Sequence, residues 1–252
     1  MKTSKVTTEA TKNEQETENV STANTDDHQS SSAKHKVVWV GISLSKALDP
    51  IKLKKDLDVD LHMVKAYCIE PEGKFQESSF RAIVPKVVKE ADTIVLQTVS
   101  IEITNLDVNN SVVDPSKDVE VSKREWFDKV EAASSSLFRI AEECVAADPE
   151  LNVIIVKRSA RFNRSSVDIL GIKPKLSVFG NTTYDQLLLK SSYSDRIHLV
   201  ELNLLNNSKS NYLRSIIYGT HDNPEFDGIH MMAGEASRHF TYRAVQSIKP
   251  IL

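Results

Sequence analysis

Five short runs of apolar and β-branched residues, separated by segments of helical spacing, constrain this chain more than any other feature. They are KVVWVGI (36–42), LHMVKAYCI (61–69), DTIVLQTVSI (92–101), LNVIIVKR (151–158) and RIHLVEL (196–202). An unbroken run such as VIIV has no polar face, so it suits a strand covered on both sides, as in a parallel sheet. Between the third and fourth runs, Trp126, Val130, Ala133, Leu137, Ile140 and Cys144 recur at four-and-three spacing, the stripe of one long helix. Pro149 closes it. A last helix is expected after Gly234, with Ala236, Phe240, Ala244 and Ile248 on one face, and YDQLLLK (184–190) has the pattern of an ordinary amphipathic helix. Strands alternating with helices predict an α/β fold, a three-layer α/β/α sandwich around a five-stranded, mostly parallel sheet with right-handed crossovers.

Residues 1–35 are rich in Thr, Ser, Glu, Asn, Lys and Gln and nearly free of large apolar side chains, so burial there cannot offset ordering entropy. They are expected to form a disordered tail, and 36–252 a single domain. With 40% hydrophobic residues and a formal net charge of −3, the chain has enough apolar content for a core and no excess of positive charge to drive binding to nucleic acid. Cys68 and Cys144 are far apart in apolar surroundings, which fits buried thiols rather than a disulfide framework or a zinc site. Trp39 and Tyr67 fit core or sheet-face positions. No apolar run has the length of a membrane span, and the first residues lack the apolar stretch of a signal peptide; the expectation is an intracellular, cytoplasmic protein without a membrane span.

Ligands of an open parallel sheet bind outside the carboxyl ends of its strands. That rule brings Ser43, Glu102, Arg158, Arg161 and Arg164 into one neighbourhood. Ser43 is either the first polar residue of a turn or a nucleophile lifted off a strand end, and a nucleophile needs a base. His28 and His35 fall in the tail, and His62 and His198 near strand starts; His221, His230 and His239 remain. Asp227 precedes His230 by three residues in DGIH, so one short segment carries both an imidazole and a carboxylate able to orient it.

These residues resemble the blocks of the SGNH (GDSL-type) hydrolase superfamily. VVWVGISL is similar to its serine block, with Gly41 and Ser43 matching; DGIHMMAGEASRHF is similar to its terminal block, with Asp227 and His230 matching. The resemblance implies a flavodoxin-like sandwich and a Ser43–His230–Asp227 triad acting on a small ester or acyl substrate, with no metal and no organic cofactor. It also marks departures. Ile42 stands where the family keeps an aspartate, Val99 where it keeps the third-block glycine, and Ile101 where it keeps the oxyanion asparagine. Losing one oxyanion donor costs about 3–4 kcal/mol of transition-state stabilisation. Gly73, Ser100, Glu102 and Asn105 are the candidates for the oxyanion or substrate site beside the Ser43 amide, with Thr104 and Gln97 as further groups near the third strand.

The alternative is a catalytically weakened binding module. Arg158, Arg161 and Arg164, with Phe162 among them, suit an anionic ligand, RNA or a protein; equally they suit a solvated basic loop. Retention of all three triad residues ranks nucleic acid below a small ester or acyl substrate as partner.

Overall fold

The computed structural model describes residues 33–41, 45, 47–65, 77–97, 118–157, 173–202 and 234–252. Along the chain these form β1 (Lys36–Gly41), α1 (Pro50–Leu57), β2 (Asp60–Lys65), α2 (Glu77–Val87), β3 (Thr93–Gln97), α3 (Val119–Ala147), β4 (Asn152–Val156), α4 (Lys173–Lys190), β5 (Ile197–Val200) and α5 (Glu235–Ile248). The strands lie in the order β2-β1-β3-β4-β5 and every pairing is parallel. That is the flavodoxin-like order, whose direction of winding reverses between β1 and β3.

Alternation along each strand divides the apolar side chains between two cores. Val37, Trp39, Val95, Ile154 and Val200 pack with Leu53 and Leu57 of α1 and Phe240, Ala244 and Ile248 of α5. Val38, Val40, Ile94, Leu96, Val153 and Ile155 pack with Phe80 and Val84 of α2, Leu137 and Ile140 of α3 and Tyr184 of α4. The five strands and the sandwich expected from the apolar runs are therefore present. All six residues of the stripe expected between the third and fourth runs are buried. In the last helix the side chain of Ala236 lies outside the described residues, whereas Phe240, Ala244 and Ile248 are buried as expected.

Local chemistry accounts for the helix boundaries. Asp49 caps α1 through its side chain, which accepts from the N–H groups of Ile51 and Lys52 at 3.0 Å, and Pro50 occupies the first helical position. The helix stops at Asp58, whose φ of 55° is left-handed, a conformation aspartate tolerates better than most residues. Asp118 caps α3 in the same way. With 29 residues, α3 is about 43 Å long, whereas a five-residue strand spans about 17 Å. Its last turn is held at the amino edge of the sheet, where Arg196, just before β5, donates through Nη1 to the carbonyls of Val145, Asp148 and Pro149 at 2.9 Å each. The first half of α3 therefore rises past the carboxyl ends of the strands.

Lys34 and His35, on the tail side of the boundary expected at Lys36, already contact this body. The His35 carbonyl accepts from the Asp60 N–H at 2.8 Å, and its ring shares a 2.9 Å hydrogen bond with the Thr93 hydroxyl. Among the described residues no helix is long and apolar enough to cross a membrane.

Candidate active site

In a parallel sheet of this order, the crevice outside the carboxyl ends of β1 and β3 is where a ligand is held. Apart from Gln97, which closes β3, the residues singled out for chemistry lie in sequence between the end of a strand and the start of the next helix. Ser43, Gly73, Ser100, Glu102, Asn105, Arg158, Arg161, Arg164, Asp227 and His230 all fall outside the described residues, as do Thr104, Tyr67, Cys68, Phe162 and His221. The described structure supplies the framework on either side of them.

Gly41 ends β1, two residues before Ser43. A Cβ on Gly41 would lie 2.8 Å from Cβ and 2.9 Å from Oγ of Ser45, and 3.3 Å from Cδ1 of Trp39. Glycine is required here because two parts of the chain approach too closely for any side chain. Ser45 and Trp39 are themselves buried.

The start of α5 meets this segment directly. The Ser237 hydroxyl donates to the Ala47 carbonyl at 2.6 Å, and the Asp49 N–H donates to Thr241 Oγ1 at 2.9 Å. These bonds cross 190 and 192 residues of sequence. Gly234, with φ of 80°, opens the helix four residues after His230. The flank that follows Ser43 and the flank that follows His230 are thus stitched together at one end of the sheet.

On β3, Gln97 is buried and its Oε1 accepts from the Trp39 indole N–H at 2.9 Å. Sequence reasoning had placed Gln97 only loosely among possible oxyanion groups; the structure gives its carbonyl oxygen an internal partner. On β4, Lys157 immediately precedes the arginine-rich segment, and its Nζ lies 2.6 Å from Asp185 Oδ1 of α4. That lysine is neutralised within the fold. Ser237, Thr241 and Lys157 carried no signal of their own in sequence, since each is a common residue whose partner lies far along the chain.

Two further histidines and the described cysteine stand away from the crevice. His62 and His198 occupy the amino halves of β2 and β5. Burial lowers the His198 pKa below the usual imidazole value, against an opposing pull from Asp195. Cys144 is buried, and desolvation followed by the nearby Glu143 charge pushes its thiol up to about 12, so it is no nucleophile near neutral pH. It lines a cleft of about 370 Å³ between the C-terminal turns of α2 and α3, with Val84, Pro85, Val88, Ile140 and Ala147. Both turns run toward the amino end of the sheet, opposite the crevice. Among the described residues no group of three His, Cys, Asp or Glu side chains is placed to hold a metal ion.

No family model matches the chain, and no curated protein matches it in sequence. Solved structures do. A carbohydrate acetylesterase from Sinorhizobium meliloti superposes with a TM-score of 0.52 at 10% identity, over 87% of this chain and 100% of the esterase. A lipase from a goat rumen metagenome gives 0.53 at 15% identity, over 84% and 98%. The fold is that of the SGNH hydrolases. A salicylyl-acyltransferase from a tetracycline biosynthetic pathway gives 0.51 at 10% identity, over 88% of this chain but only 56% of the transferase. At these identities the likeness speaks for the SGNH fold.

Proposed function

We propose that the chain is an SGNH-type serine hydrolase acting on a small ester or acyl substrate, with Ser43 as nucleophile, His230 as general base and Asp227 as the carboxylate that orients it. The observation that carries this reading is a pair of hydrogen bonds, one donated by the Ser237 hydroxyl to the Ala47 carbonyl and one donated by the Asp49 N–H to Thr241 Oγ1. They join the segment after the serine to the helix after the Asp-x-x-His pair, on the end of the sheet where ligands bind. The acetylesterase and lipase that share the fold are acyl hydrolases by name, which supports the same chemistry here.

In this mechanism His230 removes the Ser43 hydroxyl proton as the oxygen attacks the acyl carbon, and Asp227 stabilises the resulting imidazolium. The negative charge on the former carbonyl oxygen is met by the Ser43 N–H. His230 then protonates the leaving alcohol, giving an acyl-serine, and water attacks by the reverse sequence. With Val99 and Ile101 in the third block, the reading implies a slower enzyme than one with the full set of donors.

The test is labelling of the purified protein with a fluorophosphonate and turnover of an activated short-chain ester, beside Ser43→Ala and His230→Ala. The expected result is labelling and turnover in wild type that both substitutions abolish. Wild-type activity no greater than that of either variant overturns the hydrolase reading. The same Val99 and Ile101 favour a second reading, an SGNH-fold binding module for an anionic ligand, RNA or a protein. Under it, charge reversal at Arg158, Arg161 and Arg164 weakens binding and reduces its salt dependence, and unchanged binding removes it.

A further inference from the structure

Gln97 is the one polar residue at the end of a strand that otherwise reads Thr-Ile-Val-Leu, and it is only 2% exposed. A glutamine is seldom buried, and a buried carboxamide costs stability unless it is bonded. Its partner is Trp39, fully buried on the neighbouring strand. An indole N–H can only donate, so the atom facing it must be the amide oxygen, and the orientation of the carboxamide is settled by chemistry.

The pair sits directly beneath the point where β1 and β3 part. Val40 lies opposite Leu96, so Gly41 and Gln97 are the next residues on the two strands. Trp39 Cδ1 and Ser45 both crowd the face of Gly41 where a side chain would stand, at 3.3 Å and 2.8 Å from the position of a Cβ. Gly41 and Ser45, the described residues that bracket Ser43 in sequence, therefore meet at one place, with the indole beside them. The hydrogen bond to Gln97 fixes that indole.

We infer that the Trp39–Gln97 hydrogen bond is a positioning device for the nucleophile segment: it holds the indole against Gly41 and so sets where residues 42–44 leave and rejoin the core. This rests on the serine-hydrolase reading. Gln97 is a positioning residue acting through Trp39 and Gly41, not a group that touches substrate. An all-apolar pair would fill the same space and supply no orientation.

The experiment compares fluorophosphonate labelling rates and thermal unfolding of the full chain for wild type, Trp39→Phe, Gln97→Leu and the double variant, with Ser43→Ala as blank. Each single variant leaves a buried polar group without its partner, so Tm falls and labelling slows. In the double variant neither polar group remains, so much of the lost Tm returns. Labelling nevertheless stays slow, by about 10-fold or more, because misplacement by an ångström costs up to about 100-fold. The pH dependence of the labelling rate keeps its midpoint, since the base and its carboxylate are untouched. Should Gln97→Leu not fold, Trp39→Phe is read instead, because it keeps a ring in place. Labelling of the double variant at the wild-type rate overturns the inference while leaving the hydrolase reading standing. Wild type that labels no faster than Ser43→Ala overturns both.

Discussion

The two ends of the sheet are built differently. At the amino end, helices return to strands through 58–59, 88–92, 148–151 and 191–196. The backbone there is closed by its own hydrogen bonds: Asp92 N–H to the Lys36 carbonyl, Asn152 N–H to that of Asp92, and Val153 N–H to that of Arg196. At the carboxyl end, strands pass to helices through 42–49, 66–76, 98–118, 157–172 and 201–234. At that end the described residues add to the Lys157 N–H bond to the Val200 carbonyl a set of side-chain contacts: Trp39 with Gln97, Ser237 with Ala47, Thr241 with Asp49, Lys157 with Asp185. Short connections leave no room for a site and serve stability; long ones carry function on a rigid base. The comparison predicts that damage at the two ends has different consequences.

The largest effect is expected at Arg196. Its guanidinium satisfies three carbonyls at the end of α3 and lies 5.3 Å over the Tyr193 ring. Replacing it with Met leaves those acceptors at the negative end of a helix without their cation, a loss of about 2–3 kcal/mol. Denaturant unfolding measures this. If the amino end serves stability alone, labelling per folded molecule stays at the wild-type value; a large fall in that value breaks the division between ends.

Gly41→Ala reverses the pattern. The new methyl falls 2.8 Å from Ser45 Cβ, a clash that costs about 1–3 kcal/mol of overpacking and displaces the segment carrying Ser43. Labelling is expected to fall by more than the folded fraction does. Adding Ser45→Gly opens the space and is expected to restore part of both. A double variant no better than Gly41→Ala would show that this contact does not govern the segment.

A smaller change is expected at Thr241, which is fully buried. Thr241→Val keeps the shape and removes the acceptor for the Asp49 N–H, at a cost of about 1 kcal/mol. Because this bond joins the two triad-bearing segments of the proposed enzyme, labelling should slow as well. Equal labelling in Thr241→Val and wild type would mean that the stitch holds helices and nothing more.

These side-chain contacts mark the limit of what could be read from the linear chain. The strands were legible because a run such as VIIV has one physical explanation, burial on both faces. The long helix was legible because six apolar residues keep one stripe. Spacing along one segment, however, says nothing about a partner 58 or 190 residues away. Gln97 fell inside the run 92–101 and was a candidate for the oxyanion site, and Ser237 and Thr241 look like ordinary helix residues. The candidate triad was legible only as order and spacing, Gly41 and Ser43 early and Asp227 and His230 late. That the segments flanking them meet is a tertiary property, carried by the hydroxyls of Ser237 and Thr241, which no local pattern distinguishes.

The smallest effect belongs to His198, in the amino half of β5, and it sharpens the comparison by concerning stability alone. Desolvation lowers its pKa in the folded protein below the ordinary value of 6.5, with Asp195 pulling the other way. The unfolded chain therefore binds this proton more readily than the folded one. The contribution of the neutral ring is fully present above pH 6.5 and is lost as pH falls through the folded-state value. The ring is only half-buried, so the change in Tm is small. His198→Gln, which cannot titrate, should lose less Tm than wild type between pH 7.5 and about pH 5. The labelling rate, governed by a base at the other end of the sheet, should keep its own pH profile in the variant. A shift of that profile with His198→Gln would tie the two ends together, and identical Tm slopes in the two proteins would remove His198 from the acid response.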